Sequence, residues 1–135
     1  MSSLPTLIQL ADKKLDDAQK HLAELAAEIE RVQLAQQKLY KDAEGAHELA
    51  QQTDHPLAYK DAGHAAMYAR QQATQLEAVK EMFRQKHADQ LDLIRQLFAE
   101  KKRYEVLHEA QQQEAKKRRE TKQQAMLEDL TNRPR

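Results

Sequence analysis

From Leu4 onward, apolar residues return in alternating steps of four and three: Leu4, Ile8, Ala11, Leu15, Ala18, Leu22, Leu25, Ile29, Val32, Gln36, Leu39, Ala43, Ala46 and Ala50. Thirteen of these 14 positions are apolar, and Gln36 is the exception. A 3.5-residue period held over seven heptads predicts the seam of a left-handed coiled coil rather than the broader face of a globular amphipathic helix. Ser3 is placed to cap this helix, and Pro5 is tolerated in its first turn. The first helix is therefore expected over about 4–52.

The segment Gln51-Gln-Thr-Asp-His-Pro56 ends the pattern. Pro56 lacks the N–H that a continuing helix needs, and it pushes His55 toward extended geometry. A turn over 53–56, with Thr53 or Asp54 capping the next helix, follows. The second helix is expected over about 57–127, with Gly63 as its weak point. Its seam reads as Ala62, Ala66, Ala69, Ala73, Leu76, Val79, Phe83, Leu91, Ile94, Leu97, Phe98, Tyr104 and Leu107, with His87 and Gln90 on the expected core positions between Phe83 and Leu91. The apolar stripe widens over Leu91–Phe98 beyond what one partner helix needs. A short break makes consecutive long helices antiparallel neighbours, so the fold class is an all-α antiparallel two-helix coiled coil, a helical hairpin forming a single domain. If Gln52 meets Leu57, the numbers of partners at one level sum to about 109. At 1.5 Å per residue the paired length is about 75 Å. The part of helix two beyond about residue 108 then has no partner, is polar all round, and is expected to be mobile.

Composition sharpens this picture. Ala (21) and Gln (18) dominate, charged residues make 33 %, and aromatic residues 4 % with no Trp. Such a chain builds long helices and buries a seam, not a thick core. Cys is absent, which removes disulfides and thiolate metal sites. No run approaches the roughly 20 apolar residues that cross a bilayer. The opening Met1-Ser-Ser-Leu-Pro-Thr lacks the basic and apolar regions of a signal peptide, and a cytoplasmic location is expected. Formal net charge is zero, yet residues 1–100 hold 12 Lys/Arg against 16 Asp/Glu, and residues 101–135 hold 10 against 6. A basic end on a mildly acidic chain points to an acidic partner there.

Little in the sequence suggests chemistry. Glu44…His47 and Glu105…His108 have the i, i+3 spacing of di-iron bundles, but those need two such motifs plus two further Glu in one core, and the hairpin register sets these two about 60 Å apart. No Ser-His-Asp or Cys-His grouping is visible, and two Gly cannot form a phosphate-cradling loop. No catalytic, cofactor-binding or metal-binding residue is expected, and no enzyme. Lys101-Lys-Arg103 and Lys116-Lys-Arg-Arg119 are the strongest charge features, read either as docking surfaces or as solvated helix faces. Overall neutrality and the lack of aromatics among the basic residues of 108–135 argue against nucleic acid.

Two stretches carry a resemblance. Leu4–Leu25, LPTLIQLADKKLDDAQKHLAEL, has opening heptads with an L-D-[DE]-[AK] step. Phe98–Arg119, FAEKKRYEVLHEAQQQEAKKRR, has an F-x-E-[KR]-[KR]-x-x-E stretch and a charged helical tail. With the layout of long helix, break and longer helix, they resemble the FliJ family of flagellar type III export. The resemblance implies an antiparallel coiled coil similar to the central stalk, the gamma subunit, of rotary ATPases. It implies that the open end inserts into the flagellar export ATPase hexamer, that the rod reaches the export-gate protein FlhA, and that the chain also contacts the ATPase regulator and escorts export chaperones. By the same resemblance Lys101, Lys102 and Arg103 lie near the ATPase end, while Leu39, Tyr40 and Leu76 lie on the stripe that touches the gate. Asp42, Ala46 and Gln72 stand where family members can carry aromatics. The implied location is peripheral, at the cytoplasmic face of the inner membrane. The alternative is a structural stalk or spacer of another secretion system or rotary ATPase.

Overall fold

The computed structural model describes residues 3–132, which form two long helices packed against each other with no strand among them. Helix α1 covers Leu4–Thr53 (50 residues) and α2 covers Pro56–Thr131 (76 residues). The helical hairpin expected from the period of α1 is what the chain adopts.

Local chemistry explains where each helix starts and stops. The Ser3 hydroxyl accepts from the Thr6 N–H (3.4 Å), and the Ser3 carbonyl takes the Leu7 N–H (3.0 Å), which caps α1. At the other end the Thr53 hydroxyl donates back to the Leu49 carbonyl (2.9 Å) and Asp54 N–H to the Ala50 carbonyl (2.9 Å). Asp54 adopts φ 50°, the left-handed conformation that stops a helix and that Asp tolerates better than most residues. The turn is therefore only Asp54–His55, shorter than the expected 53–56, and the cap of α2 is His55 rather than Thr53 or Asp54. Its Nδ1 accepts the Leu57 N–H (3.1 Å) and its carbonyl the Ala58 N–H (3.0 Å). Pro56 opens α2 because a first-turn residue needs no N–H and its fixed φ is already helical.

The chain divides into two compact units. One is Ala18–Leu93; the other joins the residues up to Asp17 with those from Ile94 onward. In the first, Ala18, Leu25, Val32 and Ala50 of α1 are buried, as are Ala62, Ala69, Ala73 and Lys80 of α2. In the second, Ala11 and Leu15 are buried, and Ile94, Leu97, Lys101 and Tyr104 are half-buried. All 14 positions of the α1 period are buried or half-buried. The buried set is mostly Ala, and no large side chain among the described residues is fully enclosed.

The α2 seam departs from its sequence reading at three places. Val79, Phe98 and Leu107 are exposed, and Lys80, Lys101 and His108 stand in the seam instead. The reason is geometric: from Ala62 the four-three step continues unbroken through Ala66, Ala69, Ala73, Leu76, Lys80, Phe83, His87, Gln90, Ile94, Leu97, Lys101, Tyr104 and His108. Position on the helix decides which side chain turns inward, whether or not it is apolar. The levels agree with the expected sum of 109: Gln36 bonds the carbonyl of Ala73, and Gln90 that of Ala18, giving 109 and 108. From Glu109 to Asn132 every residue is exposed, while α2 stays helical to Thr131.

Candidate partner-binding surfaces

The basic step of α2 splits by the heptad. Lys101 takes a seam position, so its ammonium is drawn across to Asp12 Oδ1 (2.6 Å) and lies 3.7 Å from Glu105. The hydrogen bond to Asp12 holds the Lys101 pKa above its ordinary value. Lys101 is thus engaged within the hairpin. Lys102 and Arg103 face solvent, Lys102 with a loose ion pair to Glu105 (3.8 Å). Next along, the half-buried Tyr104 donates its hydroxyl proton to Glu100 Oε1 (2.8 Å), and that carboxylate raises the phenol's pKa.

The outward residues of this stretch form one surface. Phe98, Lys102 and Val106 make one four-step ridge, and Ala99, Arg103 and Leu107 the next, with a shallow groove between them. Phe98, Val106 and Leu107 are each more than half exposed, so the groove is apolar at its ends and basic in the middle. The sequence signal for it was the apolar excess over Leu91–Phe98, of which Leu91 and Ile94 turn toward the seam and Phe98 turns away.

A second surface lies beside the turn, within the other unit. Small residues on both helices, Ala43, Ala62 and Ala66 among them, leave an open groove whose walls carry Tyr40, Tyr59 and Arg70. His47 stands there with its Nε2 3.2 Å from the Gln51 side-chain amide. Of the three residues assigned by resemblance to this end, Tyr40 presents its ring on the groove wall and is half exposed, whereas Leu39 and Leu76 are half-buried in the seam.

Glu44 and His47 belong to one unit and Glu105 and His108 to the other, and among the described residues no three His, Asp or Glu side chains gather where they could hold a metal ion. No described helix is long and apolar enough to cross a membrane. The arrangement offers grooves, ridges and charge. Hydropathy does not find the polar seam residues Lys80 and Lys101, because it favours the nearby apolar Val79 and Phe98. Continuing the four-three count from Ala62 would have found both.

Comparisons with protein-family models, with curated proteins and with solved structures gave no match to this chain.

Proposed function

We propose that this chain is a coiled-coil stalk of flagellar type III protein export that acts by contact rather than by catalysis, linking an export ATPase hexamer to the export gate. The observation that carries the reading is the change in α2 at His108. Up to that residue the helix packs against α1; beyond it, Glu109–Thr131 runs on as an exposed helix whose basic residues gather at Lys116–Arg119. A free helix of that length is about 35 Å long and about 10–12 Å across, a size that enters the opening of a protein ring. Its basic run, Lys116–Arg119, favours an acidic contact. The likeness of Leu4–Leu25 and Phe98–Arg119 to the FliJ family supplies the rest of the proposal. The ATPase ring and its regulator meet the end that bears Lys102, Arg103 and the free helix. FlhA meets the turn end at Tyr40, and export chaperones are escorted on the exposed faces. On this reading the protein works peripherally at the cytoplasmic base of the flagellum.

The test is the ATPase rate of the purified hexamer with full-length protein and with a chain ending at His108, together with swimming in soft agar. The full-length chain is expected to stimulate turnover, and the truncation to lose both stimulation and motility while keeping its helical signal. No stimulation by the full-length chain would overturn the stalk reading. Full stimulation by the truncation would remove the free helix from it.

A further inference from the structure

Gln36 is the one polar residue in the α1 seam, and it is the hub of a closed polar cluster. Its Nε2 donates to the Ala73 carbonyl (3.2 Å) and to Glu77 Oε2 (2.9 Å). Its Oε1 accepts from the Lys80 ammonium (3.1 Å), which also meets Glu77 Oε2 at 2.8 Å. Lys80 retains only 9 % of its exposure, the sole buried charge among the described residues, and no buried side-chain nitrogen or oxygen among them lacks a partner. In the same unit a second polar bridge crosses the seam, from Gln90 Nε2 to the Ala18 carbonyl (2.9 Å).

These bonds select among pairings that apolar contact alone leaves nearly equal. The α1 seam is apolar at every level but that of Gln36, so hydrophobicity by itself would accept a partner helix at several levels, or the seam of a second copy. Sliding α2 by seven residues would carry Lys80 from the level of Gln36 to that of Ile29 or Ala43, where no acceptor stands in the seam. Lys80 would keep only Glu77, on its own helix, and lose its acceptor on α1, which is unfavourable for a buried ammonium. A single buried polar side chain at a seam position is known to fix register and oligomeric state in coiled coils, at a cost in stability.

We propose that Gln36, Glu77 and Lys80, seconded by Gln90, form a register lock that commits α1 to α2 of the same chain at one level and excludes slipped hairpins and pairing with a second copy. The chain has no Cys, so cysteines introduced at the exposed Gln33 and Gln75 give unique spin-label sites across the hairpin. The variant that tests the lock is Gln36→Leu with Lys80→Leu, which leaves the half-exposed Glu77 free to meet water. The locked protein should show one narrow distance population and sediment as a monomer. The double variant should keep its helical signal and melt higher by about 5 °C or more, the size of shift expected when a buried polar layer becomes apolar in a chain this small. It should also gain a second distance population or a dimer that grows with concentration. A double variant that stays monomeric with the single distance of the parent would overturn the proposal and leave the cluster as packing alone.

Discussion

The two helices share one seam and differ in what they put into it. Over 14 positions α1 places 13 apolar residues and Gln36, while the 14 positions of α2 from Ala62 to His108 include Lys80, His87, Gln90, Lys101 and His108. If apolarity alone built the seam, α2 would drift to bring Val79, Phe98 and Leu107 inward, and it does not. An antiparallel partner with an unbroken 3.5-residue stripe imposes its period on its neighbour, and the neighbour's polar residues must then find acceptors across the interface. Gln36 provides one to Lys80, Ala18 one to Gln90 and Asp12 one to Lys101. The α1 seam thus supplies most of the burial, and the α2 seam supplies the choice of alignment.

The largest expected effect lies in α1. Leu25 is among its most enclosed side chains at 5 % exposure. Leu25→Ala should cost about 2–3 kcal/mol in urea unfolding, at the low end for a buried Leu because a two-helix seam can partly collapse on the gap. A loss below about 1 kcal/mol would mean that α1 is not the main source of burial.

How much of this was legible beforehand follows from the same contrast. A stripe with a single polar interruption is unambiguous, and the hairpin, the break at Pro56 and the levels of pairing could all be read from it. The α2 seam was not fully legible, because hydropathy ranks Val79 above Lys80 and Phe98 above Lys101. Only the acceptors on α1, which lie 44 and 89 residues away along the chain, explain why the lysines win. The grooves at Tyr40 and at Phe98 were visible as aromatic and apolar excess, without their walls. His55 as a cap could not be read at all, since its role depends on the left-handed turn at Asp54.

Titration separates the two polar bridges by pH. Glu77 is held below the ordinary Glu value of 4.5, first by its hydrogen bond with Lys80 and then by that with Gln36. A depressed carboxyl contributes stability above its unfolded pKa and loses it as pH falls through the folded one. Acid should therefore weaken the hairpin from about pH 4.5 downward, and Glu77→Gln should flatten that limb. Lys101 is raised above 10.5 by Asp12, so its contribution is fully present below that value and is lost as pH rises through the higher, folded pKa. Lys101→Met should flatten part of the alkaline limb, the rest belonging to the raised Tyr104 phenol, and leave the acid limb unchanged. Melting curves from pH 3 to 12 on the parent and both variants read each limb. Acid sensitivity that survives Glu77→Gln would place the titration elsewhere.

The smallest expected effect falls where hydropathy would forecast a large one. Phe98 is the bulkiest apolar residue of its stretch, and a core reading gives Phe98→Ala a loss of about 3–5 kcal/mol. Its ring is 56 % exposed, one position past the seam residue Leu97. A polar, helix-favouring replacement, Phe98→Gln, removes little enclosed surface and keeps the helix propensity of the site, so the stability should move by less than about 0.5 kcal/mol. The neighbouring Leu97→Gln puts an amide into the half-buried seam position and should cost several times more. Urea titrations of the two single variants make the comparison directly. Equal losses would mean that α2 is rotated by about one residue from the phase described, which would also separate Lys101 from Asp12 and Lys80 from Gln36. The Phe98 variant thus tests, through a null effect, the same phase on which the polar bridges depend.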